Sequence, residues 1–448
     1  MYLTNKKISI VGGGLVGSLL SIYLTKQGAA VSVFDKRSDI RLDKYGAGRS
    51  INLALSNRGM QALEEVGVLN EIMSIAMPMY KRIMHAVNGD LTEQPYGQKG
   101  QAIYSVSRHV LNAKLIDLAE MNSVDFSFQN TCSGIDINAT QLNFEHEASR
   151  QFDFIFGCDG VGSVVRKGMS DFSSDFNVVE ELIDYGYKEL TIPANEDNTH
   201  KLSKDALHIW PRQSYMVIAL PNLDGTFTCT LFAPIKGQNS FDSLTSHSHV
   251  DDFFSMNFLD LKQLIPDLED QYFDNPLGSL GFIRTSSWKQ NNTFLIGDSC
   301  HATIPFYGQG MNAGFEDCFL LNNYIVENGG LDVDSIDEFL NTRIINTRAM
   351  QELSRINFIE MQDKTANNEF LLQKKIEAWF SENNPKIWIP LYSMVTFSHI
   401  PYNIALNKGM EQDLIMKKIM VENNLKNPFS IVELQEKDIE DKIKALLK

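Results

Sequence analysis

The residues with the clearest chemical potential lie in positions 294–317, FLIGDSCHATIPFYGQGMNAGFED. An apolar strand is predicted to end at Gly297 and Asp298, and a glycine-containing turn then opens a helix at about Gly310. The Asp298 carboxylate can accept hydrogen bonds from sugar hydroxyls, and free backbone N–H groups at a helix start attract negative charge. This combination suits the ribityl chain and isoalloxazine ring of a flavin, because the reduced ring carries negative charge at its N1–C2 edge.

A second candidate site lies in residues 7–37, KISIVGGGLVGSLLSIYLTKQGAAVSVFDKR. A β-branched run leads into Gly12-x-Gly14-x-x-Gly17, a helical apolar pattern follows, and a second strand ends at Asp35. In this order the first glycine permits a tight turn, the second lets the backbone approach a pyrophosphate, and the third lets the helix pack on the strand. Asp35 is placed to accept from the adenosine ribose hydroxyls, which favours FAD or NAD over NADP. A glycine-rich turn without a ligand is the alternative, and the complete order of elements argues against it.

Composition limits the classes of function. The chain has 448 residues, enough for two or three domains, and 43% of them are hydrophobic. A net charge of −16 argues against nucleic acid or an anionic membrane as a partner. The longest apolar run, residues 387–397, is too short to span a membrane and contains Pro390. The cysteines form no CxxC pair, which indicates buried thiols in a reducing compartment: Cys132, Cys158, Cys229, Cys300 and Cys318.

The order of predicted elements indicates an α/β protein with a Rossmann-like FAD-binding domain, an inserted antiparallel-sheet substrate domain and a helical C-terminal region. Alternating strands in residues 185–234 indicate the inserted sheet, and the chain after Gly310 is mainly helical. We expect the following boundaries: 1–180 for the first part of the FAD domain, with substrate-contact strands near 80–105; 181–285 for the sheet domain; 286–335 for the return of the FAD domain; and 336–448 for the helical region that closes the substrate pocket.

Several motifs together carry a family resemblance. They are GGGLVG at 12–17, GRSINLALSNRG at 48–59, YSVSR at 104–108, CDG at 158–160, LHIWPR at 207–212, FTCTLF at 227–232, GDSCHATIPFYGQGMNAGFEDC at 297–318 and IPLYSMVTFS at 389–398. The glycine, CDG and GD motifs are shared by many flavin hydroxylases, whereas GRSINLALS, LHIWPR and YSMVTFS are more specific. Over almost its whole length the chain closely resembles the kynurenine 3-monooxygenase family, FAD-dependent aromatic hydroxylases of the para-hydroxybenzoate hydroxylase type.

The resemblance implies a set of FAD-binding residues: Gly12, Gly14, Val16, Gly17, Phe34, Asp35, Lys36, Arg37, Ala54, Arg108, Cys132, Asp298, Met311 and Asn312. Arg108 is expected near the phosphates or ribityl chain, and Cys132 is expected to offer backbone contacts at the adenine. Two plainer readings stay open: Arg108 as a surface arginine at a helix start, and Cys132 as ordinary core packing. No metal site and no catalytic side chain are expected, since the flavin carries the chemistry.

The resemblance also implies L-kynurenine as substrate, bound by Arg82, Tyr96, Asn357 and Tyr392. A planar cationic fork with neutral donors suits an amino-acid carboxylate. Read without the family, Arg82 is a solvated arginine, Tyr96 packs a turn and Tyr392 belongs to a core. The family often has His or Phe where this chain has Tyr307, so a phenol there is expected to change the polarity of the ring pocket.

The implied reaction is hydroxylation at ring position 3 to give 3-hydroxy-L-kynurenine, with NADPH as transient reductant, O₂ as co-substrate and a flavin C4a-hydroperoxide as intermediate. The sequence contains no second glycine motif for NADPH, so NADPH is expected to dock transiently on the surface. Eukaryotic relatives are expected to anchor to a membrane through hydrophobic C-terminal residues, whereas this chain ends in an amphipathic charged segment, and with no visible signal peptide a cytoplasmic enzyme is expected. Two alternatives remain: a flavin hydroxylase of another aromatic acid, and a non-catalytic flavin-fold binding protein.

Overall fold

The structure is a computed structural model that describes residues 1–42, 52–97, 100–363, 368–423, 425 and 436–447. The beginning of the GRSINLALS motif, residues 48–51, therefore lies outside the described residues. The described strands are β1 Lys7–Val11, β2 Ala30–Phe34, β3 Asn52–Leu55, β4 Met77–Met79, β5 Lys81–His85, β6 Leu91–Pro95, β7 Ile103–Ser107, β8 Asp125–Ser127, β9 Cys132–Asp136, β10 Gln141–Phe144, β11 Arg150–Gln151, β12 Phe154–Gly157, β13 Val178–Ile192, β14 Ala206–Arg212, β15 Tyr215–Pro221, β16 Phe227–Pro234, β17 Gly278–Thr285, β18 Lys289–Gln290 and β19 Thr293–Leu295.

The described helices include a long C-terminal series after the flavin motifs. They are α1 Leu15–Lys26, α2 Asn57–Glu65, α3 Leu69–Met73, α4 Arg108–Met121, α5 Val164–Phe172, α6 His247–Asn257, α7 Leu259–Lys262, α8 Leu268–Asp274, α9 Asp298–His301, α10 Gly310–Glu327, α11 Asp337–Asp363, α12 Asn368–Asn383, α13 Leu391–Thr396, α14 Tyr402–Glu422 and α15 Glu436–Leu446. The predicted helix at Gly310 is confirmed. Residues 247–274 contain the three short helices α6, α7 and α8.

A six-stranded sheet in the order β18-β19-β12-β1-β2-β8 forms the nucleotide-binding part. Its strands are parallel except for the pair β18–β19, and they are short, buried and rich in Ile, Val and Phe. Parallel strands buried on both faces read as continuous apolar runs, which explains the sequence pattern. The carboxyl ends of β1, β2 and β19 lie at one edge, so the glycine turn, Asp35 and Asp298 come together there.

A seven-stranded sheet in the order β17-β13-β16-β15-β14-β5-β6 forms the second part. It is antiparallel except between β14 and β5, where His208 pairs with Ile83 in parallel register. The side chains of Trp210, Phe253 and Phe258 pack in a core between this sheet and helices α6 to α8. The sheet takes strands from residues 81–95 as well as from 178–285, so Arg82 on β5 belongs to the inserted sheet rather than to the nucleotide sheet.

The C-terminal helices pack on each other and on the flavin loop. One core contains Leu372, Trp388 and Ile419 from α12, the α12–α13 connection and α14. A second core joins Tyr307 to Met350 and Met394. Within the described part of the chain, no helix is both long and apolar enough to cross a bilayer. The α/β fold class is confirmed, whereas the domain boundaries and the cytoplasmic location stay predictions.

Candidate active site

The glycine turn after β1 has the geometry that its spacing predicts. Gly12 has φ of +101°, and a Cβ there would lie 2.5 Å from the Cys158 carbonyl oxygen. A Cβ on Gly17 would lie 2.0 Å from the Gly12 oxygen, because α1 packs directly on the end of β1. A Cβ on Gly14 would meet no protein atom within 4 Å. Gly12 and Gly17 are thus required by the protein itself, whereas the space beside Gly14 is left for a ligand.

Asp35 follows β2 and faces the glycine turn. Its carboxylate accepts from the Gly13 N–H at 2.9 Å and from the Arg37 Nη2 at 2.8 Å. Burial pushes the pKa of Asp35 upward, but hydrogen bonds from Arg37 and Gly13 outweigh burial and leave the pKa below its ordinary value. The ionised carboxylate is held beside the glycine turn, and its contact with the adenosine ribose stays a prediction. Lys36 is exposed, and the Phe34 side chain is buried with its carbonyl accepting from the Gly12 N–H at 2.8 Å.

The ring end of the candidate flavin site begins at Gly297, which has φ of +71°. Asp298 follows it, exposed, and its carboxylate accepts no hydrogen bond from any described residue. At the start of α10, the N–H groups of Gly310 and Met311 likewise have no acceptor in the described part of the chain. Unsatisfied N–H groups beside a free carboxylate are the donors and the acceptor that a ribityl chain and a flavin ring need.

The Asn312 side chain makes its hydrogen bonds within the protein. It is 0% exposed, its Oδ1 accepts from the Ser56 N–H at 2.9 Å, and its Nδ2 donates to the carbonyls of Ala54 and Gly308 at 2.8 and 2.9 Å. The side chain therefore fixes β3 and the turn before α10 against each other. A flavin contact from Asn312 must come from its backbone, and Ala54 borders the same turn.

The positions of Arg108 and Cys132 do not test their predicted contacts with FAD. Arg108 is the exposed first residue of α4 and donates no hydrogen bond to a described side chain or carbonyl. Its charge reaches Tyr187 on β13, where burial raises the pKa of the phenol and Arg108 opposes the rise. Cys132 is buried, and burial raises the pKa of its thiol to about 11, so it is a protonated core thiol. Flavin contacts from both residues stay predictions.

The predicted substrate residues Arg82, Tyr96 and Tyr392 form one cluster. The Arg82 guanidinium carbon lies 4.8 Å from the Tyr96 ring centroid and 4.3 Å from that of Tyr392. The two rings stack at 5.6 Å with an interplanar angle of 20°. Among the described residues, Arg82 has no acidic partner, and its polar neighbours are the hydroxyls of Tyr96 and Tyr392. A half-buried arginine that lacks a counter-ion is a site for an anionic ligand.

Two tyrosine hydroxyls add to this cluster. Tyr96 is 5% exposed, and its buried hydroxyl has no hydrogen-bond partner. Burial raises the pKa of the Tyr96 phenol, so the hydroxyl keeps its proton and can donate. Tyr307 stacks on Tyr392 at 5.8 Å and 23°, which brings a third phenol to the stack. The Tyr96 hydroxyl therefore adds a polar group beside the Arg82 guanidinium.

Asn357 on α11 contacts the loop that carries Tyr307. Its Nδ2 donates to the Phe306 carbonyl at 2.6 Å. The Phe306 ring packs against Phe358 and Phe232 with centroids 4.7 and 4.9 Å apart. These rings and Tyr185 border an open depression on the surface. The motif reading did not include this aromatic wall, because its members come from four separate segments.

Comparison with known proteins agrees with this geometry. A family model described as "FAD binding domain" matches residues 5–220 and 279–329. A kynurenine 3-monooxygenase from Flavobacterium johnsoniae is 48% identical over 98% of this chain and 99% of the relative. A second, from Dictyostelium discoideum, is 39% identical over 94% of this chain and 95% of the relative. The chain belongs to the kynurenine 3-monooxygenase family. It is therefore an FAD-dependent aromatic monooxygenase, as the motifs predict.

Solved structures confirm the fold of this kynurenine 3-monooxygenase family member. The tetrameric form of 2-methyl-3-hydroxypyridine-5-carboxylic acid oxygenase has a TM-score of 0.65 at 20% identity, covering 81% of this chain and 94% of the other. An FAD complex of HpxO from Klebsiella pneumoniae has a TM-score of 0.66 at 18% identity, covering 85% and 95%. Within this family, the open space at Gly14, the free Asp298 carboxylate and the unsatisfied α10 N–H groups fit FAD.

A buried ionic network lies behind the flavin segment and was not among the sequence predictions. His301 Nε2 lies 2.5 Å from Asp317, and Arg343 pairs with Asp317 and Glu316 at 2.7 and 2.9 Å. Arg58 pairs with the other oxygen of Glu316 at 2.5 Å. Burial pushes the pKa of Asp317 upward, but the charges of His301 and Arg343 prevail and lower it. The sequence signal was present, since Arg58 belongs to the GRSINLALSNRG motif and Glu316 and Asp317 to the GQGMNAGFED motif.

Proposed function

We propose that this enzyme hydroxylates L-kynurenine at ring position 3, with FAD, NADPH and O₂. The observation that carries the proposal is the Arg82 guanidinium, which lies between the Tyr96 and Tyr392 rings without an acidic partner in the described residues. The amino-acid head of kynurenine supplies the missing carboxylate. The name of the relatives supports the choice of kynurenine among aromatic amino acids.

The binding residues divide into a polar and an apolar part. Arg82 offers a planar fork to the carboxylate, and the Tyr96 hydroxyl donates a further hydrogen bond to the bound substrate. The aminophenyl ketone then extends along the apolar wall that contains Phe232, Phe306 and Phe358. Asn357 contributes by holding the Phe306 carbonyl and thereby the loop between α9 and α10. The substrate roles of Arg82, Tyr96, Asn357 and Tyr392 are part of this proposal.

The remaining residues hold the cofactor and exclude water. FAD, when bound, takes two electrons from NADPH and activates O₂ for transfer of one oxygen atom. The Gly12–Gly17 turn and Asp35 would bind its adenosine half, and Asp298 with the first turn of α10 would bind its ring half. The aniline nitrogen of the substrate activates the ring carbon, so no strong general base is needed. The aromatic wall keeps bulk water from the reacting face.

Binding of matched ligands tests the proposal. The purified holoenzyme is titrated with L-kynurenine, with kynuramine, which lacks the carboxylate, and with 2-aminobenzoate, which lacks the amino-acid head, while flavin absorbance is followed. We expect L-kynurenine to bind and to accelerate NADPH oxidation, and kynuramine to bind at least about 30-fold more weakly, because a buried charge pair is lost. Preferential binding of 2-aminobenzoate, or equal binding of kynuramine, would refute the assignment.

A further inference from the structure

Arg58 lies between the flavin helix and the segment that carries Tyr392. It is 1% exposed and is one of the largest fully buried side chains in the described chain. Its Nη1 pairs with Glu316 on α10 at 2.5 Å, while its Nε donates to the Val395 carbonyl at 3.2 Å and its Nη2 to the Ile400 carbonyl. One guanidinium thus bonds both to the helix that begins at the flavin ring and to both ends of the turn between α13 and α14.

Neighbouring contacts act on the same segment. The Asn57 Nδ2 donates to the Phe397 carbonyl at 3.0 Å, so two consecutive side chains at the start of α2 hold three carbonyls of residues 395–400. The Arg58 guanidinium also lies 4.1 Å above the Tyr402 ring, whose hydroxyl donates to Gln309 at 3.1 Å. Gln309 immediately precedes α10.

The start of α2 has little freedom relative to the flavin helix. A Cβ on Gly59 would lie 2.5 Å from the Asn312 Oδ1, and that same oxygen accepts from the Ser56 N–H. The distance between the first turn of α10 and the first turn of α2 is therefore fixed. Tyr392 lies three residues before the Val395 carbonyl, on the short helix α13. Any shift of residues 395–400 would move the Tyr392 ring relative to Arg82.

We propose that Asn57 and Arg58 form a clamp that positions Tyr392 over Arg82 and in register with the flavin helix. Neither residue touches the substrate cluster, so both are positioning residues. This inference rests on the proposed function only for the identity of the ligand, L-kynurenine. The clamp makes substrate affinity depend on the contact between the C-terminal helices and the flavin-binding part.

The experiment compares Asn57→Ala with Asn275→Ala in the FAD-loaded protein. Asn275 is a matched control because its Nδ2 also donates to a distant backbone carbonyl, that of Glu189 at 2.7 Å, but in the inserted sheet domain. Arg58→Lys is the second test variant, since lysine keeps a charge for Glu316 but lacks the fork that reaches two carbonyls. Hydrogen exchange of residues 391–402, FAD content, thermal unfolding and the Kd for L-kynurenine are measured for each.

We expect Asn57→Ala to retain FAD, to exchange residues 391–402 at least about fivefold faster and to raise the Kd for L-kynurenine about tenfold, because a small misplacement of a positioned group is costly. Arg58→Lys should raise the Kd further, and Asn275→Ala should change neither quantity. Unchanged exchange in both test variants would show that no clamp exists. Faster exchange with an unchanged Kd, or an equal Kd rise in Asn275→Ala, would overturn the positioning role.

The outcome is separable from a failure of the proposed function. If the wild-type protein itself does not bind L-kynurenine, the proposed substrate is wrong. The exchange rates of residues 391–402 still decide whether Asn57 and Arg58 hold that segment, since hydrogen exchange needs no ligand.

Discussion

Replacing Arg82 with methionine should separate substrate binding from folding. The guanidinium has no acidic partner in the described chain, so its removal leaves no buried carboxylate unpaired. The protein loses two cation–π contacts, each worth about 0.5–1 kcal/mol, and gains from no longer desolvating an unpaired charge. We therefore expect the free energy of unfolding to change by less than about 1 kcal/mol.

Binding should respond much more strongly than stability. Loss of a buried, hydrogen-bonded partner of the substrate carboxylate costs about 2–5 kcal/mol, which raises the Kd for L-kynurenine about 30-fold to several thousand-fold. Arg82→Lys keeps the charge but loses the planar fork, and about tenfold weaker binding is expected. The assay is titration of the holoenzyme followed by flavin absorbance, with urea unfolding measured on the same preparations.

A control replaces another arginine that faces two aromatic rings. Arg150 lies 5.5 and 5.8 Å from the Phe34 and Phe144 ring centroids and pairs with Glu147. Arg150→Met should leave the Kd for L-kynurenine unchanged. If Arg82→Met instead destabilises the fold by several kcal/mol and leaves the Kd within twofold of wild type, then Arg82 is a structural residue and the reasoning fails.

Further predictions follow from single groups. Tyr96→Phe removes a buried hydroxyl without a partner, so calorimetry should show equal or higher stability. The Kd for L-kynurenine should rise about 2- to 10-fold. Lower stability with an unchanged Kd would contradict this prediction. Gly14→Ala should fold but lose FAD on gel filtration, because the added Cβ meets no protein atom. Gly17→Ala should fail to fold stably, because its Cβ would collide with the Gly12 carbonyl. Retention of FAD by Gly14→Ala would argue against the proposed FAD site. Burial lowers the pKa of His208 to about 4 from 6.5, so the folded state resists protonation and stability should fall by about 3 kcal/mol as the pH drops from 6.5 to 4. In His208→Asn, the free energy of unfolding measured with urea should fall less between pH 6.5 and pH 4. An unchanged pH dependence would contradict the lowered pKa of His208.

Local spacing made the flavin site predictable. The positions of Gly12, Gly14 and Gly17 relative to one strand and one helix fix which backbone atoms collide and which face open space. The same holds for Asp298, which stands directly after a strand and Gly297 and before the turn into α10. Such sites depend on covalent neighbours, so their geometry follows from order alone. The use of the Asn312 side chain inside the protein did not follow, because two of its three partners, Ser56 and Ala54, lie more than 250 positions away.

The substrate cluster could not be predicted from local spacing, because its residues are far apart in the sequence. Arg82, Tyr96 and Tyr392 come from strand β5, the loop after β6 and a C-terminal helix, and only the family resemblance joined them beforehand. The contacts of Arg58 were harder still to predict, because its carbonyl partners are 337 and 342 positions away and nothing in its own segment indicates them. In the sequence, a buried arginine in an amphipathic helix looks the same as a surface arginine, because its acceptors become visible only in the folded structure.

Turnover with ¹⁸O₂ tests the central claim most directly. The FAD-loaded protein, NADPH and L-kynurenine are incubated together, and NADPH consumption, peroxide and the product mass are measured. The account predicts kynurenine-dependent NADPH oxidation, one labelled oxygen atom in 3-hydroxy-L-kynurenine for each NADPH consumed, and little peroxide. NADPH oxidation that yields mainly peroxide, or that does not depend on L-kynurenine, would contradict it.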